Sequence, residues 1–423
     1  MATTSSTKNK TESTTSFSDL PCDFVLEVFS RLPAKTLIRS SFVSKTWYSL
    51  IVSPAFISAQ IRHYVVSCCD NDAVLIIPPY IPEQRHAHLI SAQTGSVIET
   101  FEVPFNTVTG SLKVLGSVNG LLLLTDLHLK HDCRDLYLWN PSVRQRRKVT
   151  SSCFKRLLNN REASYYNVGL GFCKSSSDYR VVRIVYTVDS KFRRFGDVAP
   201  QAEIYSVRRR TWRKMKDPAV PRLVLANGTY VNGRYYWLAD PEKAGTVYKA
   251  NSVLDELWIL SFDFDNERFE ELKLPDEVCK CAREIGQCQL MVFEDSLSVC
   301  VFGQEESHGE TGYPYYIWVM RQENGEMFWD LRFKVALERS GWPMNITKSG
   351  TLVIESCPLQ RLDMTTIFSR HLRSNRYTDL GFGKCGGLGD DAMYFVAPAT
   401  VDTSFVESMV MYEGGKSMVK YAK

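Results

Sequence analysis

Leu20-Pro21-Cys22-Asp23, Phe24-Val25-Leu26-Glu27-Val28-Phe29, Leu32-Pro33-Ala34-Lys35-Thr36-Leu37-Ile38-Arg39 and Val43-Ser44-Lys45-Thr46-Trp47-Tyr48-Ser49-Leu50-Ile51, closing on Ser53-Pro54-Ala55-Phe56, decide how this chain is organised. Pro21 suits a helix start, and Phe24, Val25, Val28, Phe29 and Leu32 then recur on one helical face, predicting a helix from about Asp23 to Arg31. Pro33 stops it, because proline disfavours helical geometry in the residue before it. A second short helix runs through Lys35 to Arg39. A third, Lys45 to Ile51, carries Trp47, Leu50 and Ile51 inward. Pro54 opens a last turn with Phe56, Ile57 and Ile61. About forty residues cannot bury this much apolar surface alone. The segment therefore reads as a docking module, covered partly by the rest of the chain and partly by something else.

The order of these residues closely resembles the F-box motif, especially its plant form. The resemblance implies that Leu20, Pro21, Val28, Leu32, Pro33 and Leu37 face or shape the contact with a Skp-type linker protein, and through it a cullin. Val43 and Trp47 would hold the helices together. The chain departs from the usual pattern at Ser40-Ser41-Phe42, where an aromatic, a basic and a small residue are common.

Beyond Val65 the texture changes to short β-branched and aromatic runs separated by turns, with no persistent helical period. Weak self-similarity at forty to fifty residues is the spacing of propeller blades. One unit holds Val118-Asn119-Gly120-Leu121 and Leu136-Tyr137-Leu138-Trp139-Asn140-Pro141. Others hold Tyr205 with Trp212, Asn232-Gly233 with Trp237, Phe262 and Phe269, and Leu297 with Trp318 and Trp329. Asn-Gly supplies the positive φ of a tight hairpin. The tryptophans are expected to pack between blades. Leu138 to Ser142, Gly169-Leu170-Gly171-Phe172 with Asp178 to Val182, Phe262-Asp263 and Ile317 to Met320 follow the order seen in the F-box-associated interaction domain of plant proteins. That resemblance covers about Val65 to Tyr412 and implies a kelch-related β-propeller.

The expected fold is thus mainly β with a small α module: a three-helix F-box and a propeller of about six blades, closed by a strand near Phe405 to Tyr412. The expected domains are a tail over 1–17, the F-box over 18–62, the propeller over 63–415 and a C-terminal tail over 416–423.

A net charge of +4 is too small to make nucleic acid the main partner, and no apolar run is long enough to span a membrane. The Ser/Thr-rich start has no apolar core of a secretory signal. Cytoplasmic and/or nuclear placement follows as the expectation, with the twelve cysteines as reduced thiols. Cys279-x-Cys281 and Cys288 come nearest to a cluster but lack a Cys-x-x-Cys pair, so no metal is expected. Gly381-x-Gly383-x-x-Gly386 formally matches a dinucleotide fingerprint, yet a strand-like Met393-Tyr394-Phe395-Val396 follows where a helix is required. Ser152-x-x-Lys155 stands without partner motifs. No catalytic residue and no cofactor are assigned. Two basic runs, Arg144-x-Arg146-Arg147-Lys148 and Arg208-Arg209-Arg210 with Arg213-Lys214, look like hairpin turns carrying solvated charge or meeting an acidic partner.

The resemblance implies a non-enzymatic substrate receptor of an SCF-type ubiquitin ligase. The target would be held on loops such as Val188 to Pro200, Gln304 to Tyr313 and Arg370 to Gly389. Alternatives are an F-box scaffold outside the ligase, or a propeller enzyme or small-ligand binder. Related plant proteins serve in pollen self-incompatibility, restraint of immune signalling, and hormone or stress responses; these motifs do not distinguish them.

Overall fold

The computed structural model describes residues 22–67, 72–78, 86–105, 112–126, 135–149, 152–154, 164–189, 194–195, 200–216, 220, 222–224, 228–243, 257–285, 287–303, 312–356, 366–381, 400–403, 405–411 and 416–417. Four helices come first: α1 (Cys22–Ser30), α2 (Ala34–Ser41), α3 (Lys45–Ile51) and α4 (Pro54–Ser67). Pro33 caps α2 in extended geometry, and the Ser44 side chain accepts the Trp47 N–H at 3.1 Å to cap α3. Ser53 Oγ accepts the Phe56 N–H at 3.2 Å at the start of α4. The expected last turn is therefore a full fourth helix, and it runs past the expected boundary at residue 62.

Six antiparallel sheets follow. The first contains β1 (Ala73–Ile77), β2 (His86–Ser91) and β3 (Val97–Glu102); the second β4 (Leu112–Val118), β5 (Leu121–Asp126), β6 (Leu136–Asn140) and β7 (Gln145–Val149). The third holds β8 (Ser164–Cys173), β9 (Asp178–Asp189), β10 (Arg194–Phe195), β11 (Gln201–Ser206) and β12 (Thr211–Lys214). The fourth holds β13 (Arg222–Val224), β14 (Thr229–Val231), β15 (Arg234–Lys243), β16 (Trp258–Asp263) and β17 (Arg268–Lys273). After α5 (Asp276–Ile285) come β18 (Gln287–Phe293), β19 (Ser296–Phe302), β20 (Tyr313–Glu323) and β21 (Glu326–Leu337). The sixth sheet is β22 (Trp342–Ile346), β23 (Thr351–Ser356), β24 (Thr366–His371) and β25 (Tyr377–Asp379), and the short β26 (Thr400–Asp402) and β27 (Lys416–Ser417) end the series.

These sheets are the blades of a closed ring. Strand β26 pairs with β1, Leu75 opposite Asp402 and Ile77 opposite Thr400, and so supplies the missing inner strand of blade 1. The inner strands touch in the order β26, β4, β8, β14, β18, β22 and back to β26. Each pair of neighbouring blades shares its own apolar cluster, for example Leu121, Leu123 and Leu138 against Leu170 and Tyr205 between blades 2 and 3. Trp139 and Trp237 are fully buried in such clusters, and Trp212, Trp318 and Trp329 pack at their edges.

The ring is closed somewhat earlier than the expected Phe405 to Tyr412. Residues 405–411 form no strand. Met409 and Met411 pack under the helices, Phe405 between blades 1 and 2 and Val410 between blades 2 and 3, while the three-residue β26 takes the open edge of β1. Lys416 and Ser417, expected in a tail, pair with Arg146 and Gln145 on the outer edge of blade 2.

Because neighbouring strands run antiparallel, one rim of the ring carries the first and third turns of every blade. These are short: 119–120, 141–144, 207–210, 232–233, 264–267, 294–295 and 324–325. Asn119-Gly120, Asn232-Gly233 and Asn324-Gly325 each place two successive residues at positive φ, the geometry a two-residue hairpin needs. The opposite rim carries the longer connections, including 190–200, 244–257, 303–312, 357–365 and 380–399.

Candidate partner-docking site

The helical module has an inner and an outer apolar face. Val25, Phe29, Ala34, Leu37, Ile51 and Phe56 are buried together with Val143 from the β6–β7 turn and Met409 from the C-terminal segment. Trp47 stands edge-on to Phe29, ring centroids 4.9 Å apart, and locks α3 onto α1. Outside, Phe24 is 54%, Phe42 53%, Val43 67% and Tyr48 46% exposed. Large apolar side chains in water are ordinary singly, but three of these four fall within the seven residues 42–48.

Polar bonds hold the module to the tight-turn rim. Gln60 Oε1 on α4 accepts the Met409 N–H at 3.0 Å. The buried Asn140 amide donates to the Ser408 and Val410 carbonyls at 3.2 and 2.9 Å, while Ser408 Oγ donates to the Asn119 carbonyl at 2.6 Å. Gly120 is required here: a Cβ would come within 2.3 Å of the Val406 carbonyl. Ile57 and Ile61 of α4 pack over the cluster between blades 2 and 3. The Glu407 carboxyl, beneath α2, accepts the Ala34 N–H and bonds the Glu99 side chain. Burial and then Glu99 push it up to about 7, against the pull of Ala34 and Lys35.

The expected contact residues fall into several groups. Leu20 and Pro21 lie outside the described residues. Val28 and Leu32 are half-buried, and Pro33 is exposed. Leu37 is fully buried, so it supports the module from within and offers no surface to a partner. Val43 was expected to hold the helices together; it sits instead in the α2–α3 connection, pointing out, while Trp47 does pack inward. Phe42 and Tyr48 are exposed residues that periodicity did not single out, while Phe24, which periodicity placed on one face with Val25 and Phe29, is turned outward. In the unusual Ser40-Ser41-Phe42 run, Ser41 Oγ donates to the Ile38 carbonyl at 2.6 Å and Phe42 adds to the outer face.

Elsewhere, Ser152 Oγ and the Cys153 N–H bind Glu203, which pairs with the buried Arg183 at 3.1 Å. Lys155 and the glycines beyond Gly381 fall outside the described residues. Burial pushes the Cys281 thiol up to about 11 and Cys288 to about 12, so neither presents a thiolate at neutral pH. Among the described residues, no group of three or more His, Cys, Asp or Glu is placed to hold a metal ion. The loops expected to hold a target are mostly outside the described residues, but 190–200 and 303–312 both leave from the rim opposite the helices. The stretch from Arg370 to Gly389 divides: its β24–β25 turn lies on the helical rim.

The family profile described as F-box associated beta propeller domain matches residues 96–362, and that described as F-box domain matches 17–58. The chain belongs to the F-box-associated β-propeller family. Among its relatives, F-box protein CPR1 of Arabidopsis thaliana is 26% identical over 334 residues, covering 76% of this chain and 74% of the relative. An F-box/kelch-repeat protein of the same plant is also 26% identical, over 73% of this chain and 77% of its own. Among solved structures, the β-propeller domain of a trilobed protease from Pyrococcus furiosus aligns at a TM-score of 0.29 and 9% identity, covering 71% of this chain and 70% of that one. Within the F-box-associated family frame, α4 extends nine residues beyond the matched F-box segment, from 58 to Ser67.

Proposed function

We propose that this chain is the substrate-recognition subunit of an SCF-type ubiquitin ligase. The F-box would bind a Skp-type linker, and through it a cullin, by its outer apolar face. The propeller would present a protein target on the opposite, long-loop rim. One observation carries this reading: the module is fastened to the ring by its inner face while Phe24, Phe42, Val43 and Tyr48 stay uncovered. In such an assembly the chain performs no bond chemistry and acts as an adaptor. It raises the effective concentration of target lysines near the conjugating enzyme.

The test is affinity purification with and without proteasome inhibition, comparing wild type with Phe42→Asp/Val43→Asp and with Leu20→Ala/Pro21→Ala. Wild type is expected to recover linker and cullin, and both variants to lose them while keeping the target. A wild-type protein that recovers neither linker nor cullin would favour an F-box scaffold outside the ligase.

A further inference from the structure

The two basic runs noted in the sequence meet on the F-box rim. Arg144 ends the β6–β7 turn of blade 2, and Arg208, Arg209 and Arg210 form the β11–β12 turn of blade 3. Arg147 stitches the turns together, its Nη1 donating to the Val207 carbonyl at 2.8 Å. The backbone beneath is held: the Arg208 N–H donates to Asp178 Oδ1 and the Arg209 N–H to Ser206 Oγ, both at 2.9 Å. Both turns flank the F-box. Val143, next to Arg144, lies in the F-box cluster, and Val207, next to Arg208, lies in the cluster under Ile57 and Ile61.

Nearby charges divide sharply. Arg213 is paired with Glu267 and Lys148 with Asp135. Asp178 is buried and engaged by Ser206 and the Arg208 N–H. Arg144, Arg208, Arg209 and Arg210 are exposed, Arg146 is half-exposed, and none of the five guanidiniums has a side-chain partner among the described residues. One rim thus gathers five positive charges with no side-chain partner among the described residues, in a chain whose whole net charge is +4. Guanidinium forks suit carboxylates, which they grip bidentately.

We propose that this arginine rim docks an acidic, Asp/Glu-rich segment of a protein partner beside the F-box. Nucleic acid fits less well. Base stacking needs aromatics interleaved with the basic residues, and the ring that follows Arg210 on β12, Trp212, is half-buried with Arg183 4.5 Å from its centre. The proposal does not depend on which protein covers the F-box.

Fluorescence anisotropy with a Glu-rich peptide and a single-stranded DNA, each of about twelve units, tests it on the full chain. The peptide is expected to bind the wild type and to weaken as salt rises. Arg208→Glu/Arg209→Glu should lose about tenfold or more in affinity. Arg373→Glu/Arg376→Glu, which changes net charge equally at the matching turn of blade 6, should bind like wild type. Thermal melting checks folding, and Arg208→Gln/Arg209→Gln replaces the reversal should it misfold. Equal losses in both charge reversals, no peptide binding, or tighter binding of the DNA than of the peptide overturns the proposal.

Discussion

The two rims of the propeller are made of the same strands yet obey different rules. On the F-box rim the connections are mostly two to four residues long, closed by Asn-Gly pairs or by four-residue turns, and those of blades 2 and 3 pack against the helices and the 405–411 segment. On the other rim the connections include 190–200, 244–257, 303–312 and 380–399. Short pinned turns hold a docking geometry; long loops can change sequence at little cost to the ring. On the proposed function, the linker and the target would meet these two ends separately.

The comparison can be broken most severely by cutting the chain after residue 399. This removes β26 and the 405–411 segment together, so the ring opens at blade 1 and the F-box loses its seat. The expected outcome is loss of the cooperative thermal transition and of hydrogen-exchange protection in blade 1 and in α4. A protein that melts like wild type would refute the closure.

Next in size is Leu37→Ala. Emptying a fully buried leucine site costs about 2–5 kcal/mol, so linker binding should fall with module stability and recover on cooling. Val43→Ala, at an exposed position, should leave the melt within about 0.5 kcal/mol of wild type; any loss of linker binding there is direct.

Glu407 sharpens the contrast through pH. Its carboxyl is raised from 4.5 to about 7, so between those values the folded chain holds a proton that the unfolded chain has released. The stability this contributes is full below about pH 4.5 and is lost as pH rises through about 7. Seating of the F-box should therefore loosen as pH rises from about 4.5 to about 7 and level off above it, read by hydrogen exchange at α2. Glu407→Gln, which cannot ionise, should flatten that dependence.

The smallest effect is expected on the far rim. Replacing 303–312 with a short Gly/Ser connection should shift stability by under about 1 kcal/mol and leave linker binding intact, while removing any target that uses this loop.

Much of this organisation was legible because it is local. Helix α3 is legible from Lys45 to Ile51 through its inward Trp47, Leu50 and Ile51, and the structure adds the Ser44 cap that fixes its start. Asn119-Gly120 and Asn232-Gly233 announced hairpins whose φ values the structure shows. The failures are non-local. A strand of three residues, Thr400–Asp402, is selected by the open edge of β1, over three hundred residues earlier, while the more apolar 405–411 run is claimed by the F-box seat. Val43 has the composition of a core residue, and only the placement of the α2–α3 connection turns it outward. The basic runs were visible as runs, but their meeting depends on blades 2 and 3 lying side by side.

The bond between Gln60 and Met409 joins residues 349 positions apart. A ribosome adding about 5–20 residues per second therefore completes the helices roughly 20–70 s before it makes the segment on which they rest. For about the first quarter of that interval the nascent module lacks Val143, and for all of it Met409 and Met411, so its final seat does not exist. Correct presentation of the outer face thus reports that translation has reached the last strand and that the ring has shut. Incomplete chains would carry the F-box helices without the rigid platform on which they are seated.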